Sequence, residues 1–251
     1  MPENYANLRE PHLNREQRQE YVTGLFDDLA PRYDRFNRWV TLFRDEAWRH
    51  NTIEFLQDRA GGTVLDLAAG TGDLACSART LGARRVHVFD ISHEMLRCAK
   101  QKLARRNGTS SFAFAQGSAH LLPFRDSSMD GVVSGFAMRN VFHFLDQVLA
   151  EVHRVLKPGG RFAILELSQP RNRLVRLGFR WHMRTLMPLI GRLTTGRATP
   201  FQYLHETTLT FLSPDEFKRR LTEAGFEAVT WKSYLLGGIA IHHGTKHGVS
   251  C

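Results

Sequence analysis

Two carboxylates, Asp66 and Asp73, flank the glycine pair of Gly70-Thr71-Gly72. Glycine admits positive φ and lets a ligand come close to the backbone. The run Gly70-Thr71-Gly72-Asp73-Leu74-Ala75 fits the G-x-G-x-x-G/A phosphate fingerprint. Asp66 argues against a phosphate, because it would set a carboxylate beside a pyrophosphate. By Coulomb sign a cationic ligand suits this loop better. S-adenosylmethionine, with a sulfonium and an ammonium and no phosphate, is such a ligand. A solvated aspartate at a strand end is the alternative reading of Asp66. Asp90 ends a second apolar run about 20 residues beyond the loop, the spacing of a carboxylate that holds a ribose diol.

These groups need strand ends and a glycine turn to hold them. The apolar run from Val64 reads as a buried strand, and Leu74 to Arg79 as the helix after the turn. Strand, glycine turn and helix make the first unit of a doubly wound α/β domain, whose ligand crevice lies at that turn. Val86–Asp90, Phe112–Ala115, Gly131–Phe136 and Arg161–Leu167 continue the strand series. Ser92 is placed to cap a helix at His93, and Gly117-Ser118-Ala119 opens a loop. A helix from Leu145 to Leu156 stops at Lys157-Pro158-Gly159-Gly160. Ser213-Pro214-Asp215-Glu216 is a capping box whose helix ends at Gly225. Glu227–Leu235 and Gly238–His243 read as a closing hairpin. The fold expected is α/β with a doubly wound, mostly parallel seven-stranded sheet. Before it, Val22 to Leu56 is helical, with Pro31 separating two segments, and the first 18 or so residues are polar and mobile. That N-terminal cap either packs on the sheet or forms a lid over the crevice.

A chain of 251 residues, 42% apolar, is sized for one α/β domain with additions. We divide it into a tail and cap over 1–57 and the sheet domain over 58–251, with a basic helical insertion at 170–200. Cys76, Cys98 and Cys251 are widely spaced with no C-x-x-C, as in a chain kept in a reducing cytoplasm. The polar N-terminus carries no signal-peptide pattern, and no apolar run reaches the ~18 residues of a spanning helix. The formal net charge of +9 fits nucleic acid, an anionic membrane surface, or a basic soluble protein. Arg171, Arg173, Arg176, Arg180, Arg184, Arg192 and Arg197 fall in a stretch without Asp or Glu. Arg173, Arg176, Arg180 and Arg184 share one helix face, with Leu174, Leu177, Trp181 and Leu189 nearby. Such a helix suits a membrane interface; a solvated arginine face over a buried apolar one is the other reading.

Several blocks together resemble the ubiquinone/menaquinone-biosynthesis C-methyltransferases of the UbiE/MenG type: VLDLAAGTGD, FDIS-HEML, LPFRDSSMDGVVSGF-AMRNV and EVHRVLKPGGRFAILELSQP. Tyr33-Asp34 and Asn37 are similar to that family's N-terminal YDxMN block, and Tyr203-Leu204-x-Glu206 to its C-terminal part. The resemblance implies a class I methyltransferase with S-adenosylmethionine as cofactor and a polyprenyl quinol as acceptor. It carries Thr71, Asp90 with its neighbour Ile91, Ser118, Ala119, and Gly135 with Ser134 over as cofactor contacts, beside Asp66, Gly70 and Gly72. Two blocks depart from the family: FGLRN reads Phe136-Ala137-Met138-Arg139-Asn140, and the segment before the N-terminal Trp-Lys reads Phe43 to Arg49.

Methyl transfer to ring carbon needs the ring hydroxyl ionised. With a phenol pKa of about 10, this costs about 4 kcal/mol at pH 7. A fixed cation near the oxygen recovers much of that. Arg139 is assigned that role, with Asn140 as orienting donor and Tyr33 beside them; a helix-start salt bridge for Arg139 and core packing for Tyr33 are the plainer alternatives. Arginine is too basic to take the proton; water or Asp34 is expected to. No cluster has metal-ligand spacing. No Asp/Asn-Pro-Pro-aromatic block for a flipped base and no Pro-Cys nucleophile is present, which speaks against nucleic acid. Another aromatic or polyketide acceptor, a non-catalytic subunit and a homo-oligomer stay open.

Overall fold

Strands β1 (Thr63–Leu67), β2 (Arg85–Asp90), β3 (Phe112–Gln116), β4 (Met129–Gly135), β5 (Leu156–Leu167), β6 (Phe226–Tyr234) and β7 (Ile239–Lys246) form one sheet. Their order is β3-β2-β1-β4-β5-β7-β6. All neighbours pair in parallel except β5 with β7 and β6 with β7. The computed structural model describes residues 14–41, 43–107, 110–195, 207–208 and 211–248. Residues 1–13, Leu42, Arg197, the Tyr203-Leu204-x-Glu206 block and Cys251 lie outside the described residues.

The helices are α1 (Arg15–Leu29), α2 (Tyr33–Val40), α3 (Asp45–Glu54), α4 (Asp73–Thr80), α5 (His93–Asn107), α6 (Leu145–Val155), α7 (Arg173–Thr195) and α8 (Pro214–Glu223). They cover both faces of the sheet, as a parallel sheet requires. One core joins Leu65, Leu67 and Phe162 to Val148, Val152 and Phe217 of α6 and α8. The other joins Val64, Val86 and Val133 to Ala75, Ala99 and Leu103 of α4 and α5. Ile53 of α3 and Leu56 just beyond it lie in that second core. Helices α1 and α2 are joined by a turn over Ala30–Arg32 that contains Pro31.

Several boundaries differ from the sequence reading, three of them for a visible reason or by several residues. Helix α1 starts at Arg15, well before Val22, because Asn14 and Gln17 form a reciprocal capping box ahead of a polar first turn. Strand β5 starts at Leu156, because Lys157–Gly160 is absorbed as a bulge. Met129 pairs with Leu156 and Gly131 with Arg161, and Gly159 turns at φ +72°. Strand β7 runs to Lys246.

Candidate functional site

Strand β1 pairs with β2 on one side and β4 on the other, so the chain reverses its winding direction between β1 and β4. A crevice opens at the strand ends of such a switch point. Both strands leave it through strained backbone: Ala68 sits at φ +52° and Phe136 at φ +59°, followed by Gly70 at +54° and Gly72 at +78°. Left-handed non-glycine residues are held only where the surroundings fix them, typically at ligand sites. Gly72 is also required for packing, since a Cβ there would stand 3.1 Å from that of Ala99.

Asp66 is fully buried one residue before the end of β1. Its Oδ2 accepts from the Ala75 amide of α4 at 2.7 Å, and its Oδ1 has no partner among the described residues. Burial pushes its carboxyl up to about 8, against the Ala75 bond and with the nearby Asp90 and Asp73 adding to it. Asp73 goes the other way: burial would raise it, but Arg49 and Lys102 hold it below the usual range. Asp90, at the end of β2, accepts from the Gly70 amide at 2.7 Å and the Ser92 amide at 2.8 Å. Burial pushes it up and those two donors pull it down. It ties the glycine loop to the start of α5, which Ser92 caps through the Met95 amide.

Three cavities follow one another along the crevice. The first, about 60 Å³, is lined by Phe89, Asp90, Ile91, Ser118, Ala119 and Val141, among others. The second, about 40 Å³, is lined by Asp66, Gly70, Thr71, Asp73 and Gly135. Ala68 lines both. The third, about 380 Å³, is mostly apolar: Phe36, Val40, Trp48, Leu167, Val175 and Phe179 wall it, with Arg139 the only arginine or lysine on its surface among the described residues. Tyr33 and Phe136 line the second and third alike, so they stand at the junction. Burial raises the Tyr33 hydroxyl, against Asn37 and Arg139, so it is a neutral donor at pH 7.

The expected residues are thus divided. Asp90, Ile91, Ser118 and Ala119 meet in the first cavity; Asp66, Gly70, Thr71 and Gly135 meet in the second. Ser134 is buried with its hydroxyl on the Leu67 carbonyl, and Gly72 lines neither of these two cavities. Arg139 and Asn140 separate: Arg139 lines the third cavity, and Asn140 the first. The Arg139 guanidinium is bound to Glu166, and both side chains are about as buried as the core. The fixed cation expected from the sequence is thus one half of a buried ion pair. Asp34 is not on the third cavity. It lies in a charged cleft, where it accepts from Thr71 and pairs with Lys102.

Four residues escaped the sequence reading. Glu166 had a signal, since it precedes the end of β5 by one residue as Asp66 does in β1. Lys102 bridges Asp34, Thr71 and Asp73 and had none, because its partners are distant in sequence. Gln19 and Asp27 of α1 hold Ser118 and Ser92. With Asp34 on Thr71, each loop after β1, β2 and β3 is pinned to the cap by one side chain.

The family model of the ubiE/COQ5 methyltransferases matches residues 14–246. Demethylmenaquinone methyltransferase of Symbiobacterium thermophilum is 36% identical over 238 residues, 92% of this chain and 94% of that one. The ubiquinone/menaquinone biosynthesis C-methyltransferase UbiE of Pseudomonas putida is 36% identical over 232 residues, 92% of this chain and 90% of that one. An S-adenosylmethionine-dependent methyltransferase of Thermotoga maritima superposes with a TM-score of 0.63 at 18% identity, over 89% of this chain and 98% of that one, which shows the class I methyltransferase fold. With the switch-point crevice and its acidic strand ends, these likenesses leave one assignment: the chain belongs to the ubiE/COQ5 methyltransferase family and takes its methyl group from S-adenosylmethionine.

Proposed function

We propose that the chain methylates a ring carbon of a polyprenyl hydroquinone, a demethylmenaquinol or a methoxy-polyprenyl-benzoquinol, in quinone biosynthesis. The observation that carries this reading is the third cavity. It is large and apolar, it meets the cofactor crevice at Tyr33 and Phe136, and Arg139 is among its lining residues. The relatives named for demethylmenaquinone and for ubiquinone/menaquinone biosynthesis support the substrate class.

The first two cavities fit S-adenosylmethionine. Asp73, held below the usual carboxylate range, supplies negative charge at the glycine loop, and the buried Asp66 leaves Oδ1 without a partner among the described residues. Asp90 lines the next cavity beside apolar Phe89, Ile91 and Val141, which suit a ribose and an adenine. When bound, the cofactor supplies a methyl group made electrophilic by its sulfonium. The protein's own part is positioning and charge. Tyr33 and Phe136 set the ring against the crevice. Arg139 donates toward the ring oxygen as it ionises, an interaction that strengthens as charge develops. Glu166 fixes the guanidinium and keeps the resting cavity free of an uncompensated charge.

A polyprenyl quinol resides in a bilayer, and α7 is the surface proposed to reach it. The helix has three sides. Val175 and Phe179 wall the acceptor cavity. Leu174, Leu177, Trp181 and Leu189 are exposed, Leu174 by 79% and Trp181 by 61%. Arg173, Arg180 and Arg184 are exposed and Arg176 is partly so. A solvated arginine face over a buried apolar one would hide those leucines. Leu235 and Leu236, in the β6–β7 turn, line the cavity and are exposed too. Apolar side chains beside arginines suit an anionic membrane face, here the inner face of the cytoplasmic membrane. No described helix is long and apolar enough to cross it.

The test is purified protein with labelled S-adenosylmethionine and a panel of short-tailed demethylated quinols, with simple phenols and polyketide aromatics as controls. Label is expected in the quinols. Label only in the controls would replace the acceptor class.

A further inference from the structure

The third cavity gives the proton of a ring hydroxyl no carboxylate to go to. Asp34 lies in the charged cleft, and no Asp or Glu lines the third cavity among the described residues. Arg139 is already a cation, and Tyr33 keeps its own proton at pH 7. One lining side chain is left that can accept a proton there: His182 of α7.

The helix itself sets His182 on the cavity. Val175, Gly178, Phe179 and His182 recur at helical spacing, so they share one face of α7, and all four line the cavity. Phe179, one turn earlier, packs with Tyr33, Phe36, Val40 and Leu167, which holds that face against α2. His182 is only partly buried, and its imidazole has no hydrogen-bond or ion-pair partner among the described residues. Burial alone lowers it, so it is neutral at pH 7 and offers a lone pair. Tyr33 of α2 and Arg139, after β4, are the other titratable groups on the cavity. From α3, β5 and the β6–β7 turn come Trp48, Leu167, Leu235 and Leu236, none of them titratable. On α7 itself Arg180 and Arg184 stand two positions either side of His182 and are exposed.

We propose that His182 is the general base of the methyl transfer. Its imidazole takes the proton of the ring hydroxyl, and the Arg139 cation stabilises the oxygen left behind. The electron pair of the broken O–H bond passes into the ring, whose carbon forms the new bond to the methyl group as the C–S bond breaks toward sulfur. The methylated ring carbon then loses its hydrogen as a proton to water, and the ring oxygen takes a proton back from the imidazolium. Each turnover thus releases one proton and returns His182 neutral. This rests on the quinol reading above and supplies the proton acceptor that the reading needs.

The test is the pH dependence of a single turnover, with protein in excess over a short-tailed demethylated naphthohydroquinone kept reduced under anaerobic conditions. The wild type should keep a constant rate around pH 7 and above, and slow as the pH falls through a range below that of an ordinary histidine. His182→Gln should be about a hundredfold slower at pH 7, the low end for a general base. Its rate should instead climb about tenfold for each pH unit toward the phenol's own pKa of about 10. Calorimetry with S-adenosylhomocysteine, expected to give wild-type affinity, shows that the variant is folded. If it is not, His182→Ala decides: added imidazole should restore its rate, and no rescue would overturn the proposal. A wild-type rate and pH profile in His182→Gln would also overturn it, making His182 part of the wall, while quinol methylation by the wild type would leave the function standing. If the wild type leaves the naphthohydroquinone unmethylated, both fall together.

Discussion

Asp66 shows how burial sets the chemistry of this site. Its carboxyl, raised to about 8, keeps a proton that the unfolded chain releases near pH 4. Between those values the native state binds more protons, so stability falls as pH rises through that window and levels off above about 8. Asp66→Asn keeps an acceptor for the Ala75 amide and removes the titration. Urea unfolding at pH 5 and pH 8 should show the variant gaining on the wild type at the higher pH; a constant difference would mean an ionised Asp66. Arg139 poses the complementary problem. Arg139→Leu strands Glu166 in the interior and should cost about 3–5 kcal/mol of stability. Adding Glu166→Leu should restore most of it in thermal melts. Both variants should bind S-adenosylhomocysteine normally and lose turnover. Turnover in the double variant would remove Arg139 from the reacting ring.

The elements divide between those that build the crevice and those that close it. The strand-end acids Asp66 and Asp90, the glycine turn and the box at Ser213 were legible because each is a local pattern within a few residues of sequence. The closing contacts were not. Lys102 of α5 meets Asp34 of α2 across 68 positions, and Gln19 reaches Ser118 across 99; no periodicity encodes such pairs. The start of α1 was missed because its first turns are polar and only the Asn14–Gln17 box marks it. The first cavity lies under α1, so the cap covers a nucleoside bound there. Lys102→Met should loosen it and speed release of S-adenosylhomocysteine several-fold, on the order of 1 kcal/mol. Stopped-flow displacement measures this, and an unchanged rate would make the cap a fixed wall.

At the scale of the molecule, the net charge of +9 gains a direction. Arg173, Arg176, Arg180 and Arg184 lie on the same helix as the exposed Leu174, Leu177 and Trp181, the helix that walls the acceptor cavity. The heptad-like arginine spacing was readable, but which face the leucines took was not, since α2 and the β6–β7 turn decide it. Basic residues near an anionic bilayer contribute about 1 kcal/mol each, enough together for reversible docking that weakens with salt. Wild type should sediment with anionic vesicles at low salt and release at high salt. A variant with Arg173, Arg176, Arg180 and Arg184 changed to Gln should stay in the supernatant and still methylate a water-soluble quinol. Equal sedimentation of the two proteins would assign the charge elsewhere.

We propose that a ring carbon receives the methyl group in the cavity between α2 and α7. The position of the methyl group in the product decides this. A short-tailed demethylated naphthohydroquinone, incubated with the protein and S-adenosylmethionine carrying a carbon-13 methyl, can be read by NMR. A carbon-13 signal is expected at the shift of an aryl methyl, coupled to ring carbon, and absent with Arg139→Leu/Glu166→Leu. A methyl-ether signal, or an aryl methyl undiminished in that double variant, would contradict it.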